Sequence, residues 1–363
     1  MAIYLDHNAT TPLRPCAKAA LEAAYAAGGN ASSVHSFGRA ARALVEQARA
    51  QVAAACPGFA PADVIFTSGG TESNNLALRG VTVGARLVSA IEHESVLKTV
   101  PEATRLPVTP TGVVDLAAAE LTLAQAARPA LVSVMWVNNE TGVIQPIAQI
   151  AEICRKYGHY LHVDAVQALG RIALEVPVDL LTLSAHKIGG PLGVGALLVR
   201  DHVPLRAQIT GGGQERGQRS GTLNAPGIAG FGAAVGEALA QLPAFAARAA
   251  WRDRFEQAIK QAGAIILGET ASRVANTSCF ALPGWRSEMQ LMQLDLQGVC
   301  VSSGSACSSG KVAHSHVLAA MGLPNDVQDS ALRVSLGWNS LESELNSCAE
   351  IWTQLAQSAI RKG

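Results

Sequence analysis

From Asp63 to Val199 short apolar runs recur with room for a helix between most of them: Val64-Ile65-Phe66, Leu87-Val88, Leu131 to Val137, Tyr160 to Val163, Leu180 to Leu183 and Val194 to Val199. These runs are near-continuous and do not alternate with polar residues, which predicts strands buried on both faces, as in a mostly parallel sheet covered by helices. In such sheets ligands collect at the carboxyl ends of the strands. After Gly211-Gly212-Gly213 the pattern changes to an Ala-rich helical stretch from about Pro226 to Ala262. Shorter strands are predicted at Asn276 to Ala281, Val299 to Ser302 and Leu332 to Leu336, followed by an amphipathic helix from Ser340. The reading is a large α/β domain and a smaller α+β one, with the boundary near Asn224 to Ala240.

Charge removes some classes of function. The 363 residues carry 28 Lys+Arg against 28 Asp+Glu, so no basic excess is available for phosphate backbones or anionic lipid. No nucleic-acid partner is expected. Apolar runs such as Ala130 to Val137 end at Asn138, well short of the roughly 20 residues that cross a bilayer. The start, Met1-Ala2-Ile3-Tyr4-Leu5-Asp6-His7, lacks the basic start and apolar run of a signal peptide. The seven cysteines are an odd number without a CxxC pair, so a reducing, cytoplasmic setting is expected.

Candidate chemistry lies at the strand ends. Ser184-Ala185-His186-Lys187 closes one apolar run, where a lysine that loses solvation gains the free amine that Schiff-base chemistry needs; the ordinary alternative is a solvated strand-end lysine. Thr67-Ser68-Gly69-Gly70-Thr71-Glu72-Ser73 reads as strand, glycine turn and helix start, either a phosphate cup or a plain cap. Asp164 ends the run at His162-Val163, suited to a pyridinium nitrogen or to capping a helix. Asn138-Asn139-Glu140-Thr141-Gly142 is a polar turn, and His93 lies on the same rim. Gly217-Gln218-Arg219-Ser220-Gly221-Thr222 is a candidate anion loop or a domain connection. Cys307 sits among small polar residues, Ser303-Gly304-Ser305-Ala306-Cys307-Ser308-Ser309, in a segment expected to be mobile and to leave the sulfur accessible. Cys300 reads as a buried bystander. Cys307 with His314 and His316 matches no zinc spacing, so no metal is expected.

Taken in order, these segments resemble a cysteine desulfurase, a pyridoxal-phosphate enzyme of the class V aminotransferase family. The likeness runs from Tyr4-Leu5-Asp6-His7-Asn8-Ala9-Thr10-Thr11-Pro12 to Arg333-Val334-Ser335-Leu336-Gly337, and the Ser-Gly-Ser-Ala-Cys loop is similar to that of the group with a long mobile catalytic loop. The resemblance implies fold type I: a large domain (13–235) with a mostly parallel seven-stranded sheet, and a small α+β domain (1–12 and 236–363) carrying the cysteine. It implies pyridoxal phosphate on Lys187 as a Schiff base, His93 stacked on the ring, Asp164 on the pyridine nitrogen, and Gln167 and Asn139 orienting ring oxygen and substrate. Gly70, Thr71, Ser184 and His186 would hold the phosphate, with Thr222 from a partner subunit of a homodimer. Arg333 would clamp the substrate carboxylate, with Asn8 close by.

The implied reaction moves sulfur from L-cysteine to Cys307 as a persulfide, releases L-alanine and passes the sulfur to an acceptor such as an iron–sulfur scaffold. The chain ends at Ala359-Ile360-Arg361-Lys362-Gly363 straight after the last predicted helix, without the tail many relatives use near such a scaffold. Lys311, His314 and His316 add cationic character after Cys307, with the expectation of a lowered thiol pKa or a role in acceptor docking. The alternatives are a selenocysteine lyase, an aminotransferase, which needs no Cys307, a sulfur-relay protein without turnover, and a Cys/His metal module.

Overall fold

The computed structural model describes residues 2–175, 177–303 and 314–360. The chain opens with β1 (Ile3–Tyr4) and two helices, α1 (Pro15–Ala27) and α2 (Ser36–Ala54). The apolar runs then become β2 (Val64–Thr67), β3 (Ala85–Ser89), β4 (Thr104–Leu106), β5 (Ala130–Met135), β6 (Tyr160–Asp164), β7 (Leu180–Ser184) and β8 (Gly195–Val199). These seven form one sheet in the order β2-β8-β7-β6-β5-β3-β4. β3 to β7 are mutually parallel, and β8 runs against both β7 and β2. With β8 reversed between them, β2 and β7 point the same way, so six carboxyl ends share one edge.

Both faces of the sheet are covered, which is why its strands read as unbroken apolar runs. Phe66, Leu87, Val132, Val163, Leu183 and Leu198 pack with residues of α2 and of the helix Ala225–Ala240. Their neighbours in the strands, such as Ile65, Val88, Leu131, Leu180 and Leu197, pack on the opposite face with Leu76, Ala77 and Leu78 of α3 (Gly70–Gly80). β4 was not predicted: only Leu106 of its three residues is buried, so an outermost strand leaves little apolar trace.

The helix expected over Pro226 to Ala262 is three helices, Ala225–Ala240, Leu242–Ala246 and Ala249–Gln261. Pro243 explains the first break, because proline fits the opening turn of a new helix and cannot donate inside a continuing one. The first of these helices packs into the core of the large sheet as far as Ala238, and Val274 joins that core from further along the chain. Beyond the three helices lie β9 (Ile265–Ile266), β10 (Thr277–Ala281), β11 (Val299–Cys300), β12 (Ser302–Ser303) and β13 (Ala331–Ser335), then the helix Glu342–Ile360. β12-β13-β10-β9 form an antiparallel sheet, whereas β11 pairs in parallel with β1. The single strand expected over Val299 to Ser302 is therefore two strands that part at Val301 and join different sheets. Their core is aromatic: Phe280 meets Phe255 at 5.6 Å and Trp352 at 5.3 Å, both edge to face. Cys300, expected to be buried, is half-buried, since the two-stranded β1–β11 pair covers it incompletely.

Candidate active site

A cavity of about 330 Å³ opens at the shared carboxyl edge, a size suited to a small cofactor with a substrate. β2 delivers the first wall. After Thr67 the chain turns at Gly69 (φ +154°) into α3. A Cβ on Gly195 would stand 2.6 Å from the Gly69 Cα, so β8 approaches this turn as closely as it does because position 195 is glycine. Gly70 is equally confined: a Cβ there would lie 2.9 Å from Val166 Cγ2. Gly70 and Thr71 line the cavity, and the first N–H groups of a helix have no intrahelical acceptor. Glu72 faces elsewhere, accepting from Ser68 N (2.8 Å) and Arg219 Nε (2.7 Å). Burial pushes its carboxyl up, but these donors outweigh that and hold it below its ordinary value.

The end of β6 supplies the charge at the middle of the cavity. Asp164 is buried, and it accepts from Val166 N (3.0 Å) and Asn74 Nδ2 (2.8 Å). Both donors are neutral, so they aim the carboxylate without cancelling its charge. Asn74 also donates to Ser95 Oγ (2.9 Å), which lies 2.8 Å from His93 Nδ1. Because Ser95 N donates to that same Nδ1 (3.1 Å), the ring carries its proton on Nε2. Burial lowers the His93 pKa, against the pull of Asp164 and with the help of Lys187, so the imidazole is neutral.

From β7, Ser184, His186 and Lys187 line the same space, the last two on a 3₁₀ turn over Ala185–Lys187. Lys187 Nζ donates to the backbone oxygens of Asn8 (2.6 Å) and Ala9 (2.7 Å). His186 Nδ1 stands 3.1 Å from Thr10 Oγ1, and burial with the nearby Lys187 pushes its pKa down to about 4. Gln167 Nε2 donates to Asn8 O (3.0 Å).

The opposite wall is built by the N-terminal segment and β13. Asp6 bridges to Ser335, which brings Asn8 beside β13. Asn8 Nδ2 donates to Thr277 Oγ1 (3.0 Å) and Asn139 O (3.1 Å). Arg333 is 2% exposed; its Nη2 donates to Asp6 Oδ1 (2.6 Å) and its Nη1 to Asn139 O (3.1 Å), while buried Nε meets no acceptor among the described residues. An orphaned guanidinium N–H at a cavity wall suits an incoming carboxylate.

Two buried acids flank this floor. Glu140 accepts from Ser315 Oγ (2.5 Å), the N-cap of the helix His316–Ala320, and burial pushes its pKa up to about 7 against that bond and Arg333. Glu92 accepts from Ser89 Oγ and from Met135 N (2.7 Å), and burial pushes it up to about 8. His316 Nε2 is 2.8 Å from Glu92 O and His314 Nδ1 is 3.1 Å from Asp329 Oδ1, so both imidazoles have local partners.

One cavity thus gathers Asn8, Gly70, Thr71, His93, Asn139, Asp164, Gln167, Ser184, His186, Lys187 and Arg333. Thr222 is exposed and is not among its lining residues. Cys307 and Lys311 lie outside the described residues. Asn74, Ser95 and Asp6 were not singled out from sequence. Asn74 follows Thr71 by three residues on α3, a spacing that puts both on one face, so helical phase was the available signal.

The aminotransferase class-V family model matches residues 3–347. The chain belongs to the aminotransferase class-V family. Within it the relatives are cysteine desulfurases: the one from Cereibacter sphaeroides is 39% identical, covering 96% of this chain and 94% of its own, and cysteine desulfurase IscS of Dictyoglomus turgidum is 38% identical, covering 98% and 94%. The NifS-like protein of Rickettsia africae superposes with a TM-score of 0.91 at 35% identity over 98% of this chain and all of its own. SspA, solved in complex with cysteine, superposes with a TM-score of 0.81 at 29% identity over 93% of this chain and 99% of its own. The expected fold, a type I pyridoxal-phosphate architecture with a seven-stranded sheet, is the one observed.

Proposed function

We propose that this cysteine desulfurase holds pyridoxal phosphate on Lys187, takes the sulfur of L-cysteine onto Cys307, releases L-alanine and passes the sulfur to an acceptor. The observation that carries the reading is the convergence of Lys187, Asp164 and Arg333, from three strands of two sheets, on one cavity. The residues fit the cofactor. Asp164 is a buried carboxylate aimed by neutral donors and suits a pyridinium N–H, neutral His93 suits the ring face, and the N-terminus of α3 with Ser184 and His186 suits a phosphate.

When bound, the cofactor supplies an electron sink that makes the substrate Cα proton acidic. Lys187 would hold the cofactor through Nζ, and the same Nζ is placed to carry the substrate Cα proton. Arg333 binds the substrate carboxylate from the cavity wall, and its bond to Asp6 fixes the plane of the guanidinium. Cys307 attacks the substrate sulfur as a thiolate. The S–S bond forms as the Cβ–S bond breaks, and the electron pair left on substrate carbon takes a proton to give alanine. Five other thiols are poor candidates for this step: burial pushes Cys56, Cys154, Cys279 and Cys348 up to about 12 and Cys16 to about 11.

The working unit is a homodimer, in which exposed Thr222 reaches the phosphate of the partner's site. Exposed Tyr25, Val34, Phe37 and Leu192 supply apolar surface of the kind a subunit contact covers. The six described cysteines are all free, in keeping with a reducing cytoplasm.

The test is to record the visible spectrum after incubation with pyridoxal phosphate, then measure sulfide and alanine from L-cysteine with a reductant. Wild type shows a visible band and releases both products in equal amounts, and Cys307→Ala keeps the band but releases no sulfide. A protein that never takes up the cofactor overturns the reading. A Cys307→Ala variant that still works on selenocysteine moves it to a selenocysteine lyase.

A further inference from the structure

Arg171 is only 5% exposed, and the charged neighbour that acts on it is another cation, Arg333. Burying a cation in such company is unfavourable, and apolar replacement of buried charges often leaves a fold as stable or more so. Folding therefore gives no reason for an arginine here, and its contacts point to the cavity instead.

The segment after β6 turns on itself, Leu169 N donating to Ala165 O (3.0 Å) and Ile172 N to Ala168 O (3.1 Å). This helical turn places Gln167 and Arg171, four residues apart, on one face. Arg171 Nη1 donates to Gln167 Oε1. Because a guanidinium has only donors, it forces the amide to give its oxygen to Arg171 and its NH₂ to the cavity. There one N–H goes to Asn8 O, the same oxygen that accepts from Lys187 Nζ, and the other faces the ligand space. Arg171 and Lys187 also line a common small cleft with His7 and Trp338.

We propose that Arg171 is a positioning residue for the cofactor: it locks Gln167 as a donor to the anionic ring oxygen and adds a fixed positive charge behind it, favouring the unprotonated form of the Lys187-bound cofactor. This rests on the reading that pyridoxal phosphate occupies the cavity. Among the described residues the other charged and titratable groups around Lys187 are Asp164, His93, His186, His7, Arg14, which is paired with Glu237, and Arg333, which is paired with Asp6. All remain in place when Arg171 is changed.

The experiment is a pH titration of the visible band of the holoenzyme. Arg171→Met moves the midpoint upward by about one pH unit, since losing a nearby positive charge favours the protonated form, while the melting temperature of the cofactor-free protein does not fall. Arg171→Lys keeps the charge and recovers at least half of the shift. A midpoint for Arg171→Met within about 0.2 unit of wild type overturns the proposal. Should Arg171→Met fail to fold or to hold the cofactor, Gln167→Glu decides. Its carboxylate pairs with Arg171, neutralises it and turns an acceptor toward the ring oxygen, so the midpoint must again rise, and an unchanged one overturns the proposal. A wild type without a visible band refutes the functional reading instead, a result distinct from a normal wild-type titration with unshifted variants.

Discussion

Glu92 and Glu140 are buried carboxyls next in the chain to His93 and Asn139 of the cavity wall, and they set how the protein tolerates alkali. Their pKa values stand at about 8 and about 7, both above the ordinary 4.5, because burial penalises the charged form. Each keeps a proton in the folded chain that it gives up in the unfolded chain. The stability each contributes is whole below about pH 4.5 and is lost as pH rises through the folded value. Wild type should lose melting temperature between about pH 4.5 and 8, and Glu92→Gln, which keeps an acceptor for Ser89 and Met135 N, should lose less. Equal slopes would show that Glu92 titrates as it does in the unfolded chain. At the catalytic lysine, Lys187→Ala should lower alanine formation by at least ~100-fold, as expected when a proton carrier is removed, and should abolish the visible band. Asn74→Ala should spare folding and weaken cofactor retention, measured by dialysis against buffer, because Asp164 loses one of its two donors. Lys187 and Asp164 were singled out in sequence because each ends or follows a recognisable apolar run, whereas Arg333 was named only through the family resemblance. Asn74 and Arg171 were not, because their roles come from what they touch, ninety and four positions away.

Among the elements, the turn Gln214–Gly217 is the one held under strain. Glu215 (φ +45°) and Arg216 (φ +57°) occupy the left-handed region, which disfavours residues with a Cβ. Buried Arg49 holds the turn in place, donating from Nη1 (2.9 Å) and Nη2 (2.7 Å) to Glu215, which also accepts from Phe66 N of β2 (2.7 Å). Arg49→Met leaves that carboxylate buried with only the Phe66 N–H and should cost about 3–5 kcal/mol in denaturant unfolding. Adding Glu215→Met should recover part of the loss. Gly195→Ala presses a Cβ on the backbone of Gly69 and should distort the phosphate end, raising the cofactor concentration needed for half-saturation. Strand positions were legible because an unbroken apolar run has few alternatives. Strand partners were not: nothing in Val299 to Ser303 marks Val301 as the place where the chain leaves β1 for β13, since pairing depends on distant segments.

At the scale of the molecule, the seven-stranded sheet and the C-terminal antiparallel sheet each pack a core, a further cluster joins Ile91 and Met135 to Leu267, Cys279 and Ala281, and the cavity is lined from both sides. Mixing Lys187→Ala chains with Thr222→Val chains should give dimers with one site that holds both residues, raising activity per intact Lys187 above that of Thr222→Val homodimers; no rise above those homodimers would place Thr222 outside the partner's site. The dozen residues that open the chain belong in space to the last third: β1 lies along β11, Asp6 is tied to Arg333, and the Asn8 carbonyl receives Lys187. The two sheets are for that reason not interchangeable cassettes. A chimera that takes residues 236–363 from a relative while keeping its own first twelve inherits one protein's floor under another protein's wall, and successful grafts will be those that carry both ends of the chain together.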